Sequence, residues 1–138
     1  MASILKVDTL TGVTTAGSIS VTGEGGSTTT NLQQGLAKCW HHYNQSGTLA
    51  SVDSFNVSGA TDSGVGITRT SYINALANVG YAVSGSHNLP SGNTASWVSG
   101  YDNSADFTTG QVTCSTFNAG SGRVDATKAM MSIHGDLA

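Results

Sequence analysis

The stretch from 37 to 43 decides the fold, and it reads Ala37-Lys38-Cys39-Trp40-His41-His42-Tyr43. In an extended strand Ala37, Cys39, His41 and Tyr43 would share one face, and Lys38, Trp40 and His42 the other. Alternation with a period of two is typical of a β-strand. We expect two aromatic side chains of this strand to anchor the domain, Trp40 and Tyr43.

The same alternation recurs along the rest of the chain, at 52–58, 67–73, 79–83, 95–101, 111–117 and 127–134. Clusters of Gly, Ser, Asn and Asp separate these segments at 58–64, 88–93 and 118–122, and such clusters form turns. We expect no long helix, only a single turn near 32–36 and either a loop or one helical turn at 75–78. The sequence therefore predicts an all-β fold, an antiparallel β-sandwich of the jelly-roll type, over residues 36–138.

Composition narrows the classes of function. Only 9% of the 138 residues are charged, against roughly 25% in ordinary soluble domains. The net charge is −3 and the five Lys and Arg residues are scattered, so we expect no nucleic-acid binding. No apolar run reaches membrane-spanning length, and no secretory signal is visible at the N-terminus. We therefore expect that the chain does not insert into a membrane. We also expect that it is made in a cytoplasm, where the cysteines would stay reduced.

The first 35 residues differ from the rest of the chain. Their apolar residues stand apart among Thr, Ser and Gly, too few to form a core yet spaced like short extended segments. A segment of this kind needs a partner surface to bury it. We predict an extended N-terminal arm over 1–35, with a hinge at 23–30 where glycines allow unusual backbone angles. The arm is expected to lie on a neighbouring subunit and to contact it through Ile4, Leu5, Val7, Leu10 and Val13.

Candidate chemical groups are sparse. Cys39, His41 and Cys114 could approach a zinc ion, but the paired spacing of a zinc site is missing. Asp102 and Asp106 could act as paired carboxylates, or join Asp125 around calcium, but neither motif is formed. No Gly-x-Ser-x-Gly elbow is present. We expect no enzymatic activity, cofactor or metal. The two cysteines are either small buried hydrophobes or a disulfide, which the sequence leaves open.

Several segments resemble one family of proteins. They are 1–10, 28–40, 52–58, 81–86 and 133–136, and they look like small virion structural proteins of tailed bacteriophages, widespread in phages of marine and cyanobacterial hosts. His41-His42 departs from that pattern. The resemblance covers most of the chain and brings no catalytic residues. It implies a virion surface protein, and a homotrimer is the family-like oligomer.

Two virion roles follow as expectations. The first is a capsid decoration (cement) protein whose arm binds the major capsid protein or other virion subunits, and neighbouring copies of itself. The alternative is a head or tail fibre protein that attaches to a host-surface receptor through aromatic residues near the turns, Trp97, Tyr101 and Phe107. In either role the protein is made in the host cytoplasm and located on the virion.

Overall fold

Eleven strands and one helical turn make up the described chain. A computed structural model describes residues 4–12, 19–23, 26, 28–88, 98–100, 107–118 and 122–138. The elements are β1 (Ser20–Thr22), β2 (Thr29–Asn31), α1 (Leu32–Gly35), β3 (Cys39–Asn44), β4 (Ala50–Phe55), β5 (Val57–Gly64), β6 (Ile67–Tyr72), β7 (Ala82–Asn88), β8 (Val98–Gly100), β9 (Gln111–Asn118), β10 (Gly122–Arg123) and β11 (Lys128–His134). By its contacts the chain divides into two compact units, 1–36 and 37–138.

The unit 37–138 contains two antiparallel sheets. One has four strands in the order β4-β3-β11-β7, and the other has the order β10-β9-β6-β5, with β8 also paired to β9. The residues between the sheets alternate with outward residues, as in β11, where Ala129, Met131 and Ile133 are buried. They pack with Cys39 and Tyr43 of β3 and with residues of the second sheet, Tyr72, Val112 and Cys114. The prediction of an all-β antiparallel sandwich is confirmed.

The chain passes from one sheet to the other at Asn56. We expected one strand over 52–58 followed by a turn at 58–64, but β4 and β5 are separate strands in different sheets. Asn56 has φ 57°, a left-handed conformation that Asn tolerates better than most residues. Its Nδ2 donates to the carbonyl of Lys38 over 2.9 Å, and its Oδ1 accepts from the amide of Asn74 over 2.7 Å. These bonds fix the corner.

The unit 1–36 contains a small hairpin. Strands β1 and β2 pair antiparallel, and the Gly23 amide donates to the Thr28 carbonyl over 2.9 Å. Within the predicted hinge 23–30, the described residues Gly23 and Thr28 are thus bonded to each other, and Thr29 and Thr30 belong to β2. Because α1 is helical, the arm 1–35 is not extended throughout. Helix α1 forms where expected because Asn31 caps it, its Oδ1 accepting from the amide of Gln34 over 3.1 Å.

Candidate functional site

The apolar residues predicted to make arm contacts are exposed in the single chain. Ile4 is 78% exposed, Leu5 81%, and Val7 and Leu10 both 56%. The fifth, Val13, lies outside the described residues. Solvent exposure of four large apolar side chains within ten residues is unfavourable, since each loses about 1.5–3 kcal/mol that full burial would supply. These four side chains are therefore the first candidate contact site.

The two predicted anchors of the domain lie on opposite faces of β3. Tyr43 is fully buried between the sheets, while Trp40 is 37% exposed on the outer face. The expectation that both would anchor the core is corrected for Trp40. The cause is the strand alternation itself, which points odd-numbered residues of β3 toward the second sheet and even-numbered residues away from it.

The outer face of the four-stranded sheet carries an exposed apolar cluster. Trp40 lies directly opposite Phe55 of β4, which is 53% exposed. Met130 of β11 is 44% exposed and lies opposite His42 of β3. His42 is two residues after Trp40 and therefore shares its face of the sheet. Adjacent outward residues are polar, among them Asp53, opposite His42. We call Trp40, Phe55 and Met130 the aromatic face.

His41 points to the interior, where two hydroxyl groups meet its ring. Its Nδ1 lies 3.0 Å from Oγ1 of Thr70, and its Nε2 lies 2.8 Å from Oγ of Ser51. Burial, and then the charge of nearby His42, lowers the pKa of His41 to about 4. At neutral pH the ring is uncharged and both of its nitrogens are hydrogen-bonded. This arrangement satisfies a buried polar side chain and leaves no ring nitrogen open for a ligand.

Both cysteines are buried free thiols. Burial raises the pKa of Cys39 to about 12, and burial together with the charge of Cys39 raises that of Cys114 to about 12. The Cys114 thiol lies 3.6 Å from the sulfur of Met131. Of the alternatives that the sequence left open, the structure places both residues in the core as small apolar side chains.

The remaining chemical candidates do not converge in the described chain. Asp125 accepts a hydrogen bond from the amide of Gly66 over 2.6 Å, a structural role. Asp102 and Asp106 lie outside the described residues. Within the described ranges, no group of three His, Cys, Asp or Glu side chains is placed to hold a metal ion.

The aromatic residues expected to contact a receptor are only partly described. Phe107 is half-buried against the core, its ring 5.5 Å from the ring of Tyr81. It therefore contributes to packing, which corrects the expectation that it is exposed. Trp97 and Tyr101 lie outside the described residues. In the described chain, the exposed aromatic cluster is instead the aromatic face. The sequence does not indicate this cluster, because the pairing of Trp40 with Phe55 depends on the register of β3 with β4.

Comparisons with protein-family models, with curated proteins and with solved structures found no match to this chain. Among the described residues, no helix has the length and apolar character needed to span a membrane.

Proposed function

We propose that this chain is a non-enzymatic structural protein of a bacteriophage virion, acting as a capsid decoration (cement) protein. The observation that carries the proposal is the exposure of Ile4, Leu5, Val7 and Leu10, which are 56–81% exposed. These side chains suit a surface that is covered only on assembly. The resemblance of the sequence to small virion proteins, and the scarcity of charged side chains, support the same function.

The mechanism is attachment through many weak contacts. The segment 4–12 lies on the major capsid protein or on a neighbouring copy, where its apolar side chains lose water. Strand β4 offers one acceptor surface, because it forms an edge of its sheet and all six of its residues are exposed. An extended segment can add its backbone to such an edge. Three copies exchanging segments in this way would form a closed homotrimer, and repetition over the capsid would add avidity.

The copy number in the virion tests the location. Quantitative mass spectrometry of purified virions gives the ratio of this chain to the major capsid protein. A ratio of the same order as the shell protein is expected for a decoration protein. A ratio of a few per cent would instead indicate a fibre or vertex protein. Absence from purified particles would contradict both virion roles.

A quadruple variant tests the contact residues directly. Replacing Ile4, Leu5, Val7 and Leu10 by Ser removes the apolar contact while leaving the sandwich intact, because none of the four is buried. We expect binding to undecorated capsids to weaken at least about a hundredfold, given ~1.5–3 kcal/mol for each buried side chain. The matched control replaces by Ser two residues that lie outside both that segment and β4, Val65 and Ile73, which are 62% and 67% exposed. Equal binding by the quadruple and control variants would show that the segment 4–12 does not attach the protein to the capsid.

The aromatic face favours a second candidate, a head or tail fibre protein that attaches to the host surface. An exposed Trp–Phe pair beside polar groups is suited to stacking on sugar rings, since aromatic side chains combine a broad apolar face with rigidity. If this is the function, Trp40→Ala and Phe55→Ala abolish binding to host cells or their isolated glycans. Val79→Ala, at another exposed apolar residue (56%), should leave binding unchanged. Cell binding that survives both aromatic substitutions would exclude this face as the receptor site.

A further inference from the structure

Strand β4 leaves one edge of the four-stranded sheet open. In the described chain β4 pairs only with β3, and all six of its residues are exposed. The register shift of this pair lies beyond Asp53, so 53–55 stay regularly paired with 40–42. β4 contains neither proline nor lysine, residues with which proteins often block an edge. Its free amide and carbonyl groups can therefore pair with a further extended segment.

The segment 4–10 has the properties of such an added strand. Its residues belong to no strand of the described chain, and all of them are exposed. When it is extended, Ile4 and Lys6 share one face, and Leu5 and Val7 share the other. Each face thus presents an exposed apolar side chain, and one face also carries a positive charge.

One antiparallel register matches the segment to β4 in both apolar character and charge. It places Ile4 opposite Phe55 and Lys6 opposite Asp53, on the outer face of the sheet. Ile4 is 78% exposed and Phe55 53%, so each gains cover from the other. Lys6 and Asp53 are exposed and carry opposite charges, and neither forms an ion pair with a described residue.

Neighbouring alignments lose this match. An antiparallel shift of two residues puts Asp8 opposite Asp53, and like charges directly opposite each other are unfavourable. A parallel alignment that keeps Lys6 at Asp53 puts the carboxylate of Asp8 beside Phe55. Charge complementarity therefore selects the antiparallel register with Ile4 at Phe55.

The source of the added strand is a second copy of the chain. In the single chain both apolar partners, Ile4 and Phe55, remain exposed to solvent. Each copy thus carries a donor segment and an acceptor edge that are complementary to each other and both uncovered. In the selected register Ile4 also extends the outward row of Phe55 and Trp40 by one strand.

We propose that the segment 4–10 of one copy adds to β4 of a second copy as an antiparallel strand, with Ile4 beside Phe55 and Lys6 beside Asp53. This pairing rests on the function proposed above, and it assigns the partner and the register of the segment. Repetition of the same donor–acceptor contact closes a ring when the rotation between copies allows it.

Disulfide trapping between copies tests the register. Full-length Lys6→Cys protein is mixed with Asp53→Cys protein and treated with oxidised glutathione, and mass spectrometry measures the mixed dimer. Directly opposite Cβ atoms are about 4.5–5.5 Å apart, close to the distance that a disulfide needs. We expect at least about ten times more mixed dimer than from Asp8→Cys with Asp53→Cys, the matched control. Both native cysteines are buried and should not compete.

A charge exchange tests the same contact without a covalent bond. Lys6→Asp places two carboxylates opposite each other and should lower the association constant of the copies about tenfold. Adding Asp53→Lys to the same chain restores opposite charges and should restore association. Analytical ultracentrifugation measures both variants against wild type. Equal association of all three proteins would overturn the pairing of Lys6 with Asp53.

The outcomes separate this pairing from the proposed function. Wild-type protein that binds capsids while the Lys6→Cys mixture gives no more dimer than the control would overturn the pairing and leave the decoration function standing. Mixed dimer from a protein that is absent from purified virions would support the pairing and contradict the function. A chain carrying both Lys6→Cys and Asp53→Cys that cross-links only within itself would overturn the exchange between copies.

Discussion

The hydroxyl of Thr116 donates a hydrogen bond over 2.8 Å to Oε1 of Gln45, a residue 71 positions away. Gln45 directly follows β3 of the four-stranded sheet, and Thr116 belongs to β9 of the other sheet. The same Gln45 oxygen accepts from the amide of Ala126 over 3.1 Å, and its Nε2 donates to Oγ1 of Thr68 over 3.0 Å. This buried amide therefore joins the two sheets through polar contacts.

Removing the Thr116 hydroxyl should weaken that junction. Thr116→Val keeps the shape of the side chain but removes the hydroxyl from Oε1 of Gln45 and from the carbonyl oxygen of Val124, which lies 2.5 Å away. We expect a loss of about 1–3 kcal/mol in the free energy of unfolding. Thr116→Ser, which retains the hydroxyl, serves as the control and should lose less. Urea unfolding followed by fluorescence measures both. If the Val and Ser variants are equally stable, the contacts of the Thr116 hydroxyl with Gln45 and Val124 do not hold the sheets together.

Gly66 should tolerate no side chain. Its φ is +65°, and a Cβ there would lie 2.7 Å from the carbonyl oxygen of Thr116 and 2.8 Å from the amide of Val124. Gly47 has a φ of +78° but open space around it. We expect Gly47→Ala to lower stability by about 1–2 kcal/mol through backbone strain alone, and Gly66→Ala to lower it substantially more. Similar losses in the two variants would show that the close approach at Gly66 is relieved easily.

The two thiols should be inert in the folded protein. Because burial raises the pKa of Cys39 and of Cys114 to about 12, only about one molecule in ten thousand carries the reactive thiolate at pH 8. We expect labelling by a thiol reagent to be at least about a hundredfold slower in buffer than in urea. Mass spectrometry of timed samples measures the labelled fraction. Rapid labelling of either cysteine under native conditions would contradict its placement in the core.

The sequence predicts the type of secondary structure better than it predicts which strands pair. Alternation in the stretch from Cys39 to Asn44 correctly indicates a strand with buried Cys39 and Tyr43. It does not reveal that the chain changes sheet at Asn56, because residues on both sides continue to alternate. That corner depends on side-chain bonds to Lys38 and Asn74, each 18 positions away.

The candidate sites were harder to predict for the same reason. Alternation places Trp40 and Tyr43 on opposite faces, but only the packing of the second sheet decides which face is covered. The pairing of Trp40 with Phe55 combines residues 15 positions apart and exists only in the register of β3 with β4. No local motif marks it. The apolar residues from Ile4 to Leu10 were identifiable because their pattern is local.

The pH dependence of stability should report the buried state of His41. In the unfolded chain its pKa is about 6.5, whereas burial, and then the charge of His42, lowers it to about 4 in the folded protein. Between these values the unfolded state binds a proton that the folded state does not. Stability is therefore complete above about pH 6.5 and falls as the pH decreases toward 4, by on the order of 3 kcal/mol.

The variant His41→Gln isolates this contribution. Glutamine can still bond to the hydroxyls of Thr70 and Ser51 but does not titrate, so the variant should lose most of the decrease between pH 7.5 and 4.5. Burial also lowers the pKa of His87, and its effect has the same sign. His87→Gln is the matched control and should keep the larger part of the decrease. Urea unfolding at several pH values decides the matter, and parallel curves for wild type and His41→Gln would rule out His41 as the titrating group.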